Sequence, residues 1–447
     1  MSCKLNNVLE KVRDFVVSLH PFLNYVFRRI FVVFFVLVLI LGIFMWFYQD
    51  KLVFFPCKEN DGKRELSTNR PGERHPSELN MNSEDITLVT DDGVKLHCWF
   101  IYHKKNDRYK QNGSSIKARK NVLDGCKMDI GGGDDVFNDD AYVSNVYSKR
   151  RAPFYLKQCF PDYYEKYEKV EKVPTIIFFS GNAGNIGGKL PHFWELYNFI
   201  GVNIFAVSYR GYGDSDGTPS ENGFYLDAKA AYEYVLSRSD IVDRNKVFIY
   251  GYSIGGAVAI DLASKYKVSG LILENTFKDM RTVCSRVYPI FNKIPFFLDT
   301  FQRLKFESYS KIPNVIAPTL YIIGMLDNLV LPTDSIELYR NSGTDPKLSR
   351  IFAVSTGSHN NTWMEAGFEY YKILFKFVYD TRNINDSDYS KIFEFREDGS
   401  ELAVTGDQEL FENELYDINT DVSNSSTLRE RRAKSNRLKR EPLKAGD

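Results

Sequence analysis

The pentapeptide Gly251-Tyr252-Ser253-Ile254-Gly255 sets a hydroxyl between two glycines, a pattern that lets a serine stand on a tight strand-to-helix turn with its oxygen exposed. Residues 247–250 are β-branched and aromatic and residues 257–266 carry helical spacing, so the local sequence predicts strand, turn and helix. Gly251 and Gly255 have no Cβ, which allows strand and helix to close around Ser253. The bland alternative is an ordinary βα turn whose serine caps the helix. As a nucleophile the hydroxyl needs a base, and an imidazole suits that role near neutral pH.

Six histidines occur, at 20, 75, 97, 103, 192 and 359. The chain order serine, acid, histidine that follows such a turn leaves only His359, in "VSTGSHNNTW", a polar turn between the last strand and the last helix. The acid must hold the imidazole in one tautomer and stabilise its protonated form. Asp327, in "GMLDNLVLP" after the strand "TLYIIG", stands at the carboxyl edge of the sheet, where open α/β sheets build their sites. Glu274, which ends the strand "LILE", is the reserve.

A third feature is "TIIFFSGNAGNIGG", residues 175–188, a glycine-rich turn directly after a strand. A dinucleotide cradle would open on Gly-x-Gly and place an acid at the end of the next strand. Neither is present. The loop instead suits a transient oxyanion, with the backbone N–H groups of Asn182 and Ile254 as donors and Gly181 giving the chain room. One such donor is worth about 2.7–4 kcal/mol in the transition state. No cofactor and no metal is expected, and the six cysteines at 3, 57, 98, 126, 159 and 284 show no metal-binding spacing.

These residues need a scaffold. Apolar strands at 175–179, 203–208, 246–250, 270–273, 319–324 and 351–354 alternate with amphipathic runs such as 220–238 and a last helix at 362–379. That alternation predicts an α/β fold with a mostly parallel sheet flanked by helices. Ahead of it, residues 84–90 and 94–103 joined by Asp91-Asp92-Gly93 predict a β-hairpin. Residues 104–172 are polar and aperiodic and read as a disordered insertion; 381–447 read as a disordered polar tail ending in "RERRAKSNRLKR". The α/β domain is thereby bounded at 80–380.

The 447 residues carry 58 Lys and Arg against 58 Asp and Glu, so no global field recruits nucleic acid. Residues 1–29 precede "IFVVFFVLVLILGIFMWFY", residues 30–48, nineteen positions without a charge. That length crosses a hydrocarbon layer of about 30 Å and predicts a single-pass anchor. Basic residues flank it equally, Lys11, Arg13, Arg28 and Arg29 against Lys51, Lys58, Lys63 and Arg64, so charge leaves the orientation open.

Six stretches together resemble the membrane-anchored α/β-hydrolase-domain serine hydrolases, which include fungal bud-emergence-type proteins and animal relatives: "GNAGNIG", "YRGYGDSDG", "GYSIGGAVAIDLAS", "LENTF", "GMLDNLVLP" and "GSHNNTW". The resemblance implies an α/β-hydrolase fold, a Ser253, Asp327, His359 triad, and a domain on the far side of an endomembrane from the N-terminus. It further implies acyl-ester or thioester cleavage, with acyl lipids or S-acylated proteins as substrates and a depalmitoylase or lipid esterase as the leading expectation. A catalytically silent membrane scaffold is the alternative. Members of the family it resembles usually carry histidine where this chain has Ser180, which puts the support of the oxyanion loop in question. The aromatic run "YPIFNKIPFFLDTF", where this fold often inserts a cap, suits a long acyl chain and equally a core helix.

Overall fold

A computed structural model describes residues 2–57, 64–104, 171–293 and 295–381. Most of the insertion (105–170) and the tail (382–447) lie outside the described residues.

Among the described residues, eight strands form one sheet in the order β1-β2-β4-β3-β5-β6-β7-β8. The hairpin is present as β1 (Ser83–Val89) and β2 (Lys95–Ile101), and its turn uses Gly93 at φ +82°. β2 runs antiparallel to β4 (Asn203–Val207). From β4 onward β3 (Thr175–Phe179), β5 (Val247–Tyr252), β6 (Gly270–Glu274), β7 (Thr319–Gly324) and β8 (Ser349–Val354) pair in parallel. Their unbroken apolar runs follow from burial on both faces.

Strand alternation sorts the core into two layers. Ile177 and Phe179 of β3 face one layer with Phe224, Ala228 and Val235 of α3 (Glu221–Ser237) and the wholly buried α4 (Ile254–Ala263). Ile176 and Phe178 face the other, against Phe193 of α2 (Leu190–Glu195) and Tyr370, Leu374 and Phe375 of α10 (Phe368–Thr381). α3 begins where the sequence places it, with Ser220 accepting from Gly223 N–H. The single helix expected over 362–379 is two, because Gly367 at φ +56° separates α9 (Thr362–Ala366) from α10. The domain also starts earlier than residue 80: Leu66 and Leu79 are buried in the second layer.

The N-terminal helix α1 runs from Ser2 to Val53, and Asn24–Val53 is long and apolar enough to cross a membrane. Nearly all of Ile30 to Phe47 is exposed, unlike a soluble core helix. Its end is tied to the domain by Phe54, which is buried against Phe224 and Phe306 at ring separations of 5.0 and 6.3 Å, a burial worth about 1.5–3 kcal/mol. A cap, α5 (Met280–Val287) and α6 (Pro295–Phe301), is inserted between β6 and β7. It is followed by α7 (Ser308–Lys311), and α8 (Pro332–Arg340) follows β7.

Candidate active site

Ser253 occupies the turn between β5 and α4 at φ +55°, ψ −120°, a backbone conformation costing about 1–3 kcal/mol for a residue with a Cβ. The surroundings hold it there. Ser253 N–H donates to the Glu274 carbonyl at 2.9 Å, and Thr276 Oγ1 donates to the Ser253 carbonyl at 2.8 Å. A Cβ on Gly251 would strike the Gly255 carbonyl, and one on Gly255 would strike the Phe179 carbonyl. Both motif glycines are therefore close-approach positions that draw helix α4 onto the ends of β5 and β3.

His359 lies on the loop between β8 and α9, with Nε2 3.0 Å from Ser253 Oγ and Nδ1 2.7 Å from Asp327 Oδ2. All three side chains are buried. A carboxylate can only accept, so Nδ1 carries the proton facing Asp327 and Nε2 offers its lone pair to the serine hydroxyl. Asp327 is fixed in turn: its Oδ1 accepts from the N–H groups of Leu329 and Val330, each at 2.9 Å.

Glu274, the reserve acid, does not take part. Position 274 shares a strand face with Ile272, toward α10, and its carboxylate accepts from Tyr250 and Tyr370, while it is Asp327 that bonds His359 Nδ1. Burial raises its pKa above the usual carboxylate range. The other described histidine rings are also committed elsewhere or distant. His75 and His97 both bond Asp85, His103 bonds the Tyr197 carbonyl, and His192 is enclosed by Phe178, Tyr250 and Tyr370. A cleft of about 450 Å³ lined by Arg74, His75, Asp85, His97 and Trp99 opens on the β1–β2 edge and contains no member of the serine site.

The glycine-rich loop reaches Ser253. A Cβ on Gly181 would lie 3.6 Å from that of Ser253 and against the Tyr252 ring. Among the described residues, neither Asn182 N–H nor Ile254 N–H donates to another backbone group outside its own helix or strand. The next turn needs Gly184 at φ +73°. Ser180 Oγ is buried with no partner among the described residues, so this position contributes no side-chain bond to the loop. Support comes from elsewhere: Phe55 N–H donates to the Asn182 carbonyl at 2.9 Å, Gly184 N–H donates to the Phe55 carbonyl at 2.9 Å, and Asn182 Nδ2 donates to the Val53 carbonyl at 2.9 Å. Tyr212, from the "YRGYGDSDG" stretch, adds a bond of 2.8 Å to the Asn182 carbonyl.

The family model described as serine aminopeptidase, S33, matches residues 171–314. Protein bem46 of Schizosaccharomyces pombe is 36% identical over 208 residues, which cover 46% of this chain and 67% of that protein. The chain belongs to this α/β-hydrolase family. The hydrolase is also similar to the α/β-hydrolase domain-containing protein WAV2 of Arabidopsis thaliana, 28% identical over 341 residues, 74% of this chain and 87% of that one. The Saccharomyces cerevisiae membrane protein YNL320W is 35% identical over 196 residues, covering 43% and 67%.

One residue of the hydrolase site escapes sequence reasoning. Asn275 follows β6 at φ +47°. Its Nδ2 donates to the His359 carbonyl at 3.0 Å and to Thr362 Oγ1 at 2.9 Å, while its Oδ1 accepts from Gly324 N–H at 2.8 Å. A single amide thus ties the histidine loop to the end of β7, from which Asp327 hangs. The asparagine in "LENTF", one of few residue types that tolerate a left-handed backbone, was the available signal. Tyr252 adds a second tie, its hydroxyl lying 2.9 Å from the His359 carbonyl and 2.7 Å from Asn360 Oδ1.

Proposed function

We propose that the chain is a membrane-anchored serine hydrolase that cleaves carboxylic esters or thioesters of long-chain acyl groups. The observation that carries the reading is Ser253 on its left-handed turn, in line with His359 and Asp327 at 3.0 and 2.7 Å. His359 Nε2 takes the Ser253 proton as Oγ attacks the acyl carbonyl, and Asp327 steadies the imidazolium that forms. The N–H groups of Asn182 and Ile254 receive the oxyanion. Collapse of the tetrahedral intermediate expels the alcohol or thiol, protonated by His359, and water then releases the acyl group through the same base.

The membrane-competent helix and the aromatic cap favour an acyl lipid or an S-acylated protein over a soluble peptide as substrate. With the domain on the far side of an endomembrane from the N-terminus, acyl lipids and esters of that lumen are the accessible choices; a cytosol-facing domain would select S-acylated proteins. The test is covalent labelling of the full chain by a fluorophosphonate probe. Labelling that disappears in Ser253→Ala supports the enzyme. A folded but unlabelled wild-type protein would sink it and leave a silent scaffold.

A further inference from the structure

The cap does not stand free of the anchor. Phe297 and Leu298 of α6 are buried with Met45 of α1, and Val38, Phe291 and Phe301 pack around them. Gly42 touches the Phe301 ring so closely that a Cβ there would collide with it. One turn further toward the domain the contacts become polar. Gln49 Oε1 accepts from Arg303 N–H and Leu304 N–H at 2.8 Å each, and Arg303 pairs with Asp50. The change from apolar to polar falls where the uncharged run 30–48 ends, so the anchor's own chemistry marks the depth of each cap residue.

That depth can be bounded. Val38 lies ten residues inside Tyr48, about 15 Å along a helix, which is half of a hydrocarbon layer of about 30 Å. Sliding the anchor far enough to lift the cap into water would draw Arg28 and Arg29 into the layer, at about 2.5–3.5 kcal/mol each. With nineteen uncharged residues to span the bilayer, there is no slack for a shallower seat.

The outer face of the cap suits such a seat. Phe296 is 78% exposed, and Val287, Tyr288 and Ile290 are exposed beside it. Asp299 is neutralised by Arg281 at 2.6 Å, and exposed Lys293 has a stem long enough to reach headgroups. We infer that the cap, residues 284–293 and 295–301, is seated in the bilayer against the anchor and draws its acyl substrate laterally from the hydrocarbon. The occupant of the apolar face is lipid, because that face is continuous with the exposed face of the spanning helix. The route ends at chemistry: α5 follows the β6 end beside Ser253, and Val53, the last residue of α1, and Phe55 just past it bond the glycine-rich loop. The seat itself is independent of the hydrolase reading; the delivery of substrate rests on it.

The test uses the full chain in phosphatidylcholine vesicles with Phe296 replaced by the photoreactive p-benzoylphenylalanine. Photolysis is expected to leave a lipid-mass adduct on the 295–301 peptide; absence of a lipid adduct overturns the seat. In the same vesicles, Ile290→Ser with Phe296→Ser should slow hydrolysis of an embedded palmitoyl umbelliferyl ester about tenfold and change that of a water-soluble acetate ester less than twofold. Equal effects on both esters, or none on the palmitoyl ester, overturn lateral delivery. If the unaltered protein cleaves neither ester, the hydrolase reading and the delivery route fall with it, while the photoadduct still decides the place of the cap.

Discussion

The two halves of the candidate site are held by different parts of the molecule. On the side of His359 and Asp327 the supporting bonds come from the sheet, its loops and the start of α9: Asn275 after β6, Tyr252 at the end of β5, the Leu329 and Val330 N–H groups after β7, and Thr362. On the side of the oxyanion loop the support comes largely from chain that precedes the sheet. Val53 and Phe55 bond Asn182 and Gly184, while Asn69 Nδ2 and the Arg64 carbonyl bond the Asn185 side chain at 2.7 and 3.0 Å. The His359 side is therefore tied to the domain core, whereas the glycine-rich loop depends largely on the junction between anchor and domain, with Tyr212 adding a tie from the chain after β4.

The largest effect should come from the centre that both halves serve. Ser253→Ala is expected to lower kcat about 10⁴-fold or more, with Tm within a few degrees of wild type, since Ala keeps the Cβ and the turn. Steady-state hydrolysis of a short ester and thermal unfolding check it. Next is Asn275→Ala, which removes the link between the histidine loop and β7 and leaves a non-glycine residue in the left-handed region. We expect about a hundredfold loss of kcat with KM little changed, and about 2–3 kcal/mol of stability lost in chemical denaturation. A variant with normal kcat would show that His359 is positioned without the amide.

The contrast between the halves also explains what was legible in the sequence. Ser253, His359 and Asp327 announced themselves through local cues: a glycine-flanked serine, the sole histidine late enough in the chain, and an acid after a strand. The strands were readable because burial on both faces makes each a short apolar run. Asn275 sat in a recognised stretch with no assigned role, because its partners lie 49 to 87 residues away. The support given by Phe55 could not be read at all, since it is a backbone pairing across more than 120 residues and side-chain types do not encode it. The break at Gly367 was hidden inside a continuous amphipathic pattern, where only the backbone angle reveals it.

Phe55→Pro probes the anchor-held half. Proline deletes the N–H that meets the Asn182 carbonyl, and the Phe55 side chain is half exposed, so packing loss is small. The expected outcome is about a tenfold fall in kcat with about 1 kcal/mol of stability lost. Combined with Asn275→Ala, the effects on the activation free energy should add if the halves are independent. A coupling above about 1 kcal/mol would mean that the junction also positions His359, and the contrast drawn above would fail.

The smallest effect belongs to the residue that touches both halves. The Tyr252 ring lies against Gly181 of the oxyanion loop, and its hydroxyl faces the His359 carbonyl and Asn360 Oδ1. Tyr252→Phe removes the hydroxyl alone and leaves the ring as a wall for Gly181. One neutral hydrogen bond is worth about 1 kcal/mol, so kcat should fall about fivefold. The reciprocal change, Gly181→Ala, keeps the hydroxyl and drives a methyl toward the ring and Ser253. If both variants reduce kcat and their effects add, the ring and the hydroxyl serve separate halves; if Tyr252→Phe abolishes the effect of Gly181→Ala, pressure on the loop reaches His359 through this side chain.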